Sequence, residues 1–150
     1  MGRLERAGPF LFRRRGRLDY LSRVRVLPTG ELTFVFTDVE GSTRLLSALG
    51  TRYVEIHSEH QALVRAAVAR HDGIEVSTEG DSFFLVFRDA LAAALAAAEM
   101  SAAIEGNAWP EDGRVRIRIG IHSGRGVLAA DDYVGIDVNR AARIAAAARL

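Results

Sequence analysis

Two aspartates stand where an apolar segment gives way to a polar turn: Asp38 in Thr37-Asp38-Val39-Glu40-Gly41-Ser42-Thr43 and Asp81 in Glu79-Gly80-Asp81-Ser82. Asp38 follows the run Leu32-Thr33-Phe34-Val35-Phe36, whose continuous apolar character predicts a buried strand. Asp81 falls in the turn between residues 74–78 and 83–87, which predict a hairpin. Carboxylates at strand ends are rigid, hard oxygen ligands. They suit Mg²⁺ or Mn²⁺ ions that keep some waters and take further ligands from substrate phosphates. At neighbouring strand ends two such groups repel unless a cation neutralises them. The chemistry this implies is that of nucleotides.

Other residues extend the pattern. Gly41-Ser42-Thr43 leads into a predicted helix, and a glycine turn at a helix N-terminus presents free N–H groups to phosphate. The same residues also read as an ordinary capping turn with Ser42 or Thr43 as N-cap. Arg118 lies on the polar face of a strand, where it can hold phosphate oxygens or serve as a plain surface charge like Arg114 and Arg116. Asn139 and Arg143, four apart, share one helix face. An amide donor and a fixed cation aimed together suit a migrating negative charge, although such a pair is also routine on surfaces. His122 reads as a strand-end structural histidine. His57, His60 and His71 show no ligand spacing and carry no weight.

These residues must be positioned by regular elements. Residues 32–36 form the first predicted strand. Leu45, Leu49, Tyr53, Ile56, His60, Leu63 and Ala67 recur at helical spacing, with Gly50 as a break. The hairpin of residues 74–87 follows, then an Ala-rich helix over 89–104 with Asp89 as N-cap. Val115, Ile117, Ile119 and Ile121 alternate with Arg114, Arg116, Arg118 and Gly120 in a half-buried strand over 115–122. Ser123-Gly124-Arg125-Gly126 then turns the chain, and residues 126–129 pair back as a short strand. A helix over 138–150 ends the sequence. The order β-α-β-β-α-β, with the helices gathered on one sheet face, predicts an α+β sandwich of ferredoxin-like type.

Composition narrows the function classes. The 150 residues are 49% hydrophobic and 26% charged, ordinary for one globular domain. There is no cysteine, which excludes disulfides, zinc–thiolate sites and cysteine nucleophiles. All 20 basic residues are arginine. Eight of them fall in residues 1–28 against Glu5 and Asp19, whereas the rest of the chain is acidic. Residues 1–30 therefore read as an Arg-rich leader, a solvated extension or a start assigned too early. No aromatic or helical register interleaves the arginines, so no nucleic-acid partner is expected. No stretch approaches the roughly 20 apolar residues of a membrane span, and no secretory signal is recognisable, so a cytoplasmic protein is expected.

Four ordered motifs now carry a resemblance: Phe36 to Thr43, Glu79-Gly80-Asp81-Ser82-Phe83, Arg118-Ile119-Gly120-Ile121-His122-Ser123-Gly124, and Tyr133-Val134-Gly135-Ile136-Asp137-Val138-Asn139-Arg140-Ala141-Ala142-Arg143. Together, over residues 32–150, they resemble the class III adenylate/guanylate cyclase catalytic domain. The likeness is strongest to the bacterial type found joined to ATPase and helix-turn-helix regulators. The resemblance implies a head-to-tail homodimer with active sites at the interface. One subunit would supply Asp38 and Asp81 for two Mg²⁺ or Mn²⁺ ions, the backbone of Val39, Gly41, Ser42 and Thr43, and Arg118 for phosphate. The other would supply Asn139 and Arg143 for the ribose and the transition state, with base-reading residues beside them. The 3′-hydroxyl of ATP or GTP would attack the α-phosphorus and pyrophosphate would leave.

Two departures from the family accompany this. Adenylate cyclases of the family carry an adenine-reading lysine where this chain has Ser77, while the partner aspartate is present as Asp132. That leaves the choice between ATP and GTP open. Family domains also continue past the last helix, so a domain incomplete at its C-terminus is expected. The alternative is a weak or inactive cyclase-like domain that binds nucleotide or dimerises within a regulator.

Overall fold

In the computed structural model of the chain, which describes residues 25–148, the first strand, β1, spans Glu31–Val39. Its residues from Leu32 to Val35 are buried on both faces, as a continuous apolar run requires of a central strand. Beside it lie β3 (Ser82–Phe87) and β4 (Ile117–Arg125), with β2 (Ile74–Glu79) outside β3. The sheet order is β2-β3-β1-β4 and every neighbouring pair is antiparallel. This is the order of a ferredoxin-like core.

Between β1 and β2 run α1 (Ser42–Leu49), a 3-10 turn (Gly50–Arg52) and α2 (Tyr53–Arg70). Gly50 breaks the helical stretch at φ 55°, ψ −124°, a conformation that favours glycine. Helix α3 (Ala90–Gly106) starts where the sequence predicts, with Asp89 Oδ2 accepting the Ala92 N–H at 2.9 Å. Helices α2 and α3 bury Val64, Ala67, Ala93, Ala96 and Met100 against Val35, Leu85, Phe87 and Ile117 of the sheet.

Three expectations are corrected. The strand expected to turn at Ser123 runs on to Arg125, tied to β1 through a 2.8 Å contact between the Ser123 and Thr33 hydroxyls. Residues 127–129 form β5 (Val127–Ala129), which pairs with β6 (Asp132–Val134) as a separate hairpin instead of returning to β4. The last helix, α4 (Ile136–Ala147), does not join the others on one face. It covers the opposite side, where Val138 and Ala141 pack with Phe34, Phe84, Val86 and Tyr133.

The seating of α4 depends on two glycines of β4. A Cβ on Gly120 would lie 2.2 Å from the Ala145 nitrogen and 2.4 Å from the Ala141 carbonyl oxygen. One on Gly124 would lie 2.2 Å from Asp137 Oδ2. With these side chains absent, the helix backbone rests on the strand through Ala141 and Ala145. Asp137 then reaches over to accept from the Arg125 N–H at 2.9 Å and His122 Nε2 at 3.0 Å. Those partners, the backbone bond first, hold its carboxyl below the usual carboxylate range. Near the chain start, Pro28 is buried and its carbonyl accepts from the Tyr133 hydroxyl at 2.6 Å. Residues 1–24 of the expected leader lie outside the described residues. Among those described, no helix is long and apolar enough to cross a membrane.

Two consequences can be measured. Gly120→Ala should cost about 3 kcal/mol, because backbone rather than a side-chain end must give way; urea unfolding against wild type reads it. His60 is 1% exposed, neither ring nitrogen has a partner among the described residues, and burial lowers its pKa from 6.5 to about 4. The unfolded chain takes up that proton at higher pH than the folded one. Stability should therefore be full above pH 6.5 and fall by up to about 3 kcal/mol as pH drops toward 4. In His60→Leu this part of the pH dependence should disappear from the unfolding profile.

Candidate active site

Asp38 is the first charged residue past the buried centre of β1, and the strand register sets it directly across from Arg118 on β4. The two form a bidentate pair, Nε to Oδ1 and Nη2 to Oδ2, both at 2.7 Å. The side chains are 25% and 30% exposed, so the pair lies at the lip of the sheet. Asp38, through hydrogen bond and charge, raises the Arg118 pKa, and Asp81 adds a smaller push in the same direction. Arg118 Nη1 also donates to the Ala146 carbonyl at 3.4 Å, near the C-terminal end of α4. A cation is favourable at that end of a helix.

Asp81 occupies the two-residue turn between β2 and β3, after Gly80 at φ 58°. The pairing of Thr37 with Phe83 brings that turn level with Val39. The Val39 N–H donates to Asp81 Oδ2 at 2.8 Å, while Oδ1 makes no hydrogen bond among the described residues. The structure thus brings Asp38, Arg118, Val39 and Asp81 together at the ends of three adjacent strands. The cation that offsets carboxylate repulsion here is the Arg118 guanidinium. Arg118, which the family resemblance assigns to phosphate, is here paired with a candidate metal ligand.

Donor chemistry tests whether a divalent cation suits this place. A guanidinium already stands in for a cation at Asp38, Asp81 keeps one free oxygen, and both groups are hard oxygen donors. The residues therefore fit Mg²⁺ or Mn²⁺ once Arg118 moves aside. Among the described residues no three of His, Asp and Glu gather as a metal cluster, so remaining ligands would come from backbone, water or substrate.

Beyond Val39 the chain turns through Glu40, whose N–H donates to the Arg116 carbonyl at 2.8 Å. Gly41 takes φ 66° and ψ 30° and is itself the N-cap of α1. Ser42 and Thr43 are the first helical residues, not caps, and no side chain caps this end. The first-turn N–H groups of α1 are left for a ligand or water.

Ser77 and Asp132 meet in one cleft of about 220 Å³, lined also by Phe36, Phe84, Glu79 and Val138. Phe36 and Phe84 stack there with ring centroids 4.3 Å apart and planes 8° from parallel. Asp132 Oδ1 accepts the Tyr133 N–H at 2.7 Å. Asn139 and Arg143 are both exposed on α4, opposite its buried residues Val138, Ala141 and Ala145. Among the described residues neither side chain hydrogen-bonds to the chain or reaches either aspartate.

Sequence reasoning set His57 aside, yet its Nε2 contacts the Gly80 carbonyl at 2.8 Å, with Gln61 Nε2 on the same oxygen at 3.3 Å. The signal was spacing: His57, Gln61 and Arg65 form a polar row at intervals of four on α2.

Comparison with known proteins places the chain among the nucleotide cyclase catalytic domains. Residues 24–150 match the model of the adenylate and guanylate cyclase catalytic domain. An adenylate cyclase of Mycosarcoma maydis is 34% identical over 156 residues, covering 87% of this chain and 6% of that protein. An uncharacterised protein of Mycobacterium tuberculosis is 33% identical over 122 residues, covering 80% of this chain and 40% of that one. The chain therefore spans well under two thirds of the relatives it matches. Among solved structures, an adenylate cyclase of Trypanosoma brucei in its monomeric state superposes with a TM-score of 0.73 at 26% identity, over 84% of this chain and 73% of that one. An adenylate/guanylate cyclase/hydrolase from Silicibacter pomeroyi gives 0.72 at 30% identity, over 81% and 73%. With its sheet order, its paired strand-end aspartates and these matches, the chain belongs to the adenylate and guanylate cyclase catalytic domain family.

Proposed function

We propose that this domain converts ATP or GTP into the 3′,5′-cyclic nucleotide and pyrophosphate, for signalling, in a head-to-tail homodimer. The observation that carries this reading is the pair Asp38 and Asp81 on neighbouring strand ends, balanced by a cation and beside an uncapped helix N-terminus. A divalent cation bound there would polarise the phosphates and favour the alkoxide form of the attacking 3′-hydroxyl. The chain's own residues do the rest. Displaced from Asp38, Arg118 becomes free to bind phosphate oxygens bidentately, as guanidinium does best. The N–H groups of Gly41, Ser42 and Thr43 hold the triphosphate.

The cleft of Ser77 and Asp132 over stacked Phe36 and Phe84 suits a purine ring. Asp132 accepts from an exocyclic amine or a ring N–H, and the Ser77 hydroxyl donates to or accepts from the neighbouring ring position. Adenine and guanine both satisfy that pair, which supports a substrate class of purine triphosphates. Asn139 and Arg143 point outward, so they serve a nucleotide held by the Asp38 and Asp81 of the second subunit. There they orient the ribose and stabilise charge on the phosphorane.

A second reading is favoured by one observation, the closure of both Asp38 oxygens by Arg118. In that reading the domain binds nucleotide or dimerises and regulates a partner without turnover. Conversion of labelled ATP and GTP separates the two. Cyclic product should form with Mn²⁺ or Mg²⁺, vanish with chelator, and drop at least about a hundredfold in Asp38→Asn and Asp81→Asn. Bound nucleotide with no cyclic product from the dimeric protein would leave the regulatory reading standing. Ser77→Lys, which restores a long cationic donor, should raise kcat/KM for ATP relative to GTP about tenfold. An unchanged ratio would remove Ser77 from base selection.

A further inference from the structure

The polar row on α2 ends on the turn that carries Asp81. At its far end Arg65 pairs with Glu75 through Nε at 2.8 Å and Nη2 at 3.0 Å, and Thr78 donates to the same carboxylate at 2.6 Å. Arg65 Nη1 donates to Gln61 Oε1 at 3.0 Å, which fixes the orientation of that amide. Its Nε2 is thereby aimed at the Gly80 carbonyl, 3.3 Å away, while His57 Nε2 approaches the same oxygen at 2.8 Å. A carbonyl oxygen only accepts, so His57 carries its proton on Nε2. The 3.4 Å separation between the two side-chain nitrogens is then two donors side by side on one acceptor. The row thus grips the β2–β3 hairpin at Glu75 on its outer strand and at Gly80 in its tip.

Gly80 O belongs to the planar peptide unit that includes the Asp81 nitrogen and Cα. Holding that oxygen holds the plane from which the Asp81 side chain departs. Gly80 sits at φ 58°, where glycine is otherwise the most permissive of residues, so the tip has little rigidity of its own. On its other side Asp81 is anchored by the Val39 N–H. Two independent restraints therefore converge on one carboxylate, one through its Oδ2 and one through its backbone, and they leave Oδ1 directed by both.

We propose that His57 and Gln61 are positioning residues for Asp81. They clamp the Gly80 carbonyl so that the free carboxylate oxygen is presented to the divalent cation. The inference rests on the reading of Asp81 as a cation ligand, and the experiment is arranged to tell the two apart. Binding of Mn²⁺ to the full chain is followed by the electron paramagnetic resonance of the free ion. It is compared for wild type, Asp81→Asn, His57→Phe, Gln61→Met, the combined His57→Phe/Gln61→Met, and His57→Gln.

Removing both donors should raise the Mn²⁺ Kd about tenfold, the usual scale for losing groups that orient a ligand. The Mn²⁺ concentration for half-maximal activity should rise by the same factor, with kcat at saturating Mn²⁺ within about twofold of wild type. Each single variant should give a smaller rise of the same sign, which keeps the test open should the combined variant fold poorly. His57→Gln keeps an N–H donor and should retain near wild-type affinity. If Asp81→Asn abolishes binding while the combined variant stays within twofold of wild type, the clamp has no positioning role. If His57→Gln loses as much affinity as His57→Phe, the donor is not what matters and the proposal fails. If Asp81→Asn itself leaves Mn²⁺ binding unchanged, Asp81 is not a ligand and both the reading and the clamp fall together.

Discussion

β1 is buried on both faces, and that constraint decides where this domain can carry charge. From Leu32 to Val35 every side chain faces a packed layer, α2 and α3 on one side and α4 on the other. Asp38 comes near the strand's end, partly exposed, and an ionised carboxylate there still needs a counter-charge. The antiparallel register supplies Arg118 from one neighbour, and the tight turn on the other side delivers Asp81. A partly exposed bidentate pair of this kind contributes on the order of 1–2 kcal/mol. In the proposed reading a divalent cation arriving with a triphosphate would exchange for it. The pair is thus strong enough to order the site and weak enough to yield.

The same constraint places α4. Gly120 and Gly124 let α4 lie on the strand that bears Arg118, and the guanidinium touches the Ala146 carbonyl near the end of that helix. Once Val138, Ala141 and Ala145 face the sheet, helical geometry turns Asn139 and Arg143 outward. Residues of one chain thus divide into a set around β1, with Asp38, Asp81 and Arg118, and a set on α4 that faces away from the sheet. In the proposed reading, a site assembled from both sets takes one from each subunit of a two-fold dimer.

Much of this was legible in the residues. The apolar run before Asp38, the Gly80-Asp81 turn between two strands, the Asp89 cap and the Gly50 break all rest on short-range chemistry, and each stands where the sequence predicts. What local pattern does not encode is which face an amphipathic helix chooses. Helix α4 looked like a partner for α2 and α3; its true seat is signalled by glycines four apart on a strand, a feature that acquires meaning only once the helix is seen against them. Arg118 shows the same limit, because cross-strand register, not strand alternation, decides that it meets Asp38. His57 was overlooked because its partner is a backbone carbonyl: the polar row at intervals of four is visible in the sequence, but what that row faces is not.

In the proposed reading catalysis needs the Asp81 end of one chain and the Arg143 face of another. Asp81→Ala and Arg143→Ala should each be inactive alone. Mixed in equal amounts and allowed to exchange subunits, they form heterodimers in which one interface site is intact and the other carries both lesions. Activity should return to about a quarter of wild type, since half of the dimers are mixed and each has one working site of two. Heterodimers that form yet stay inactive would contradict a site shared between chains.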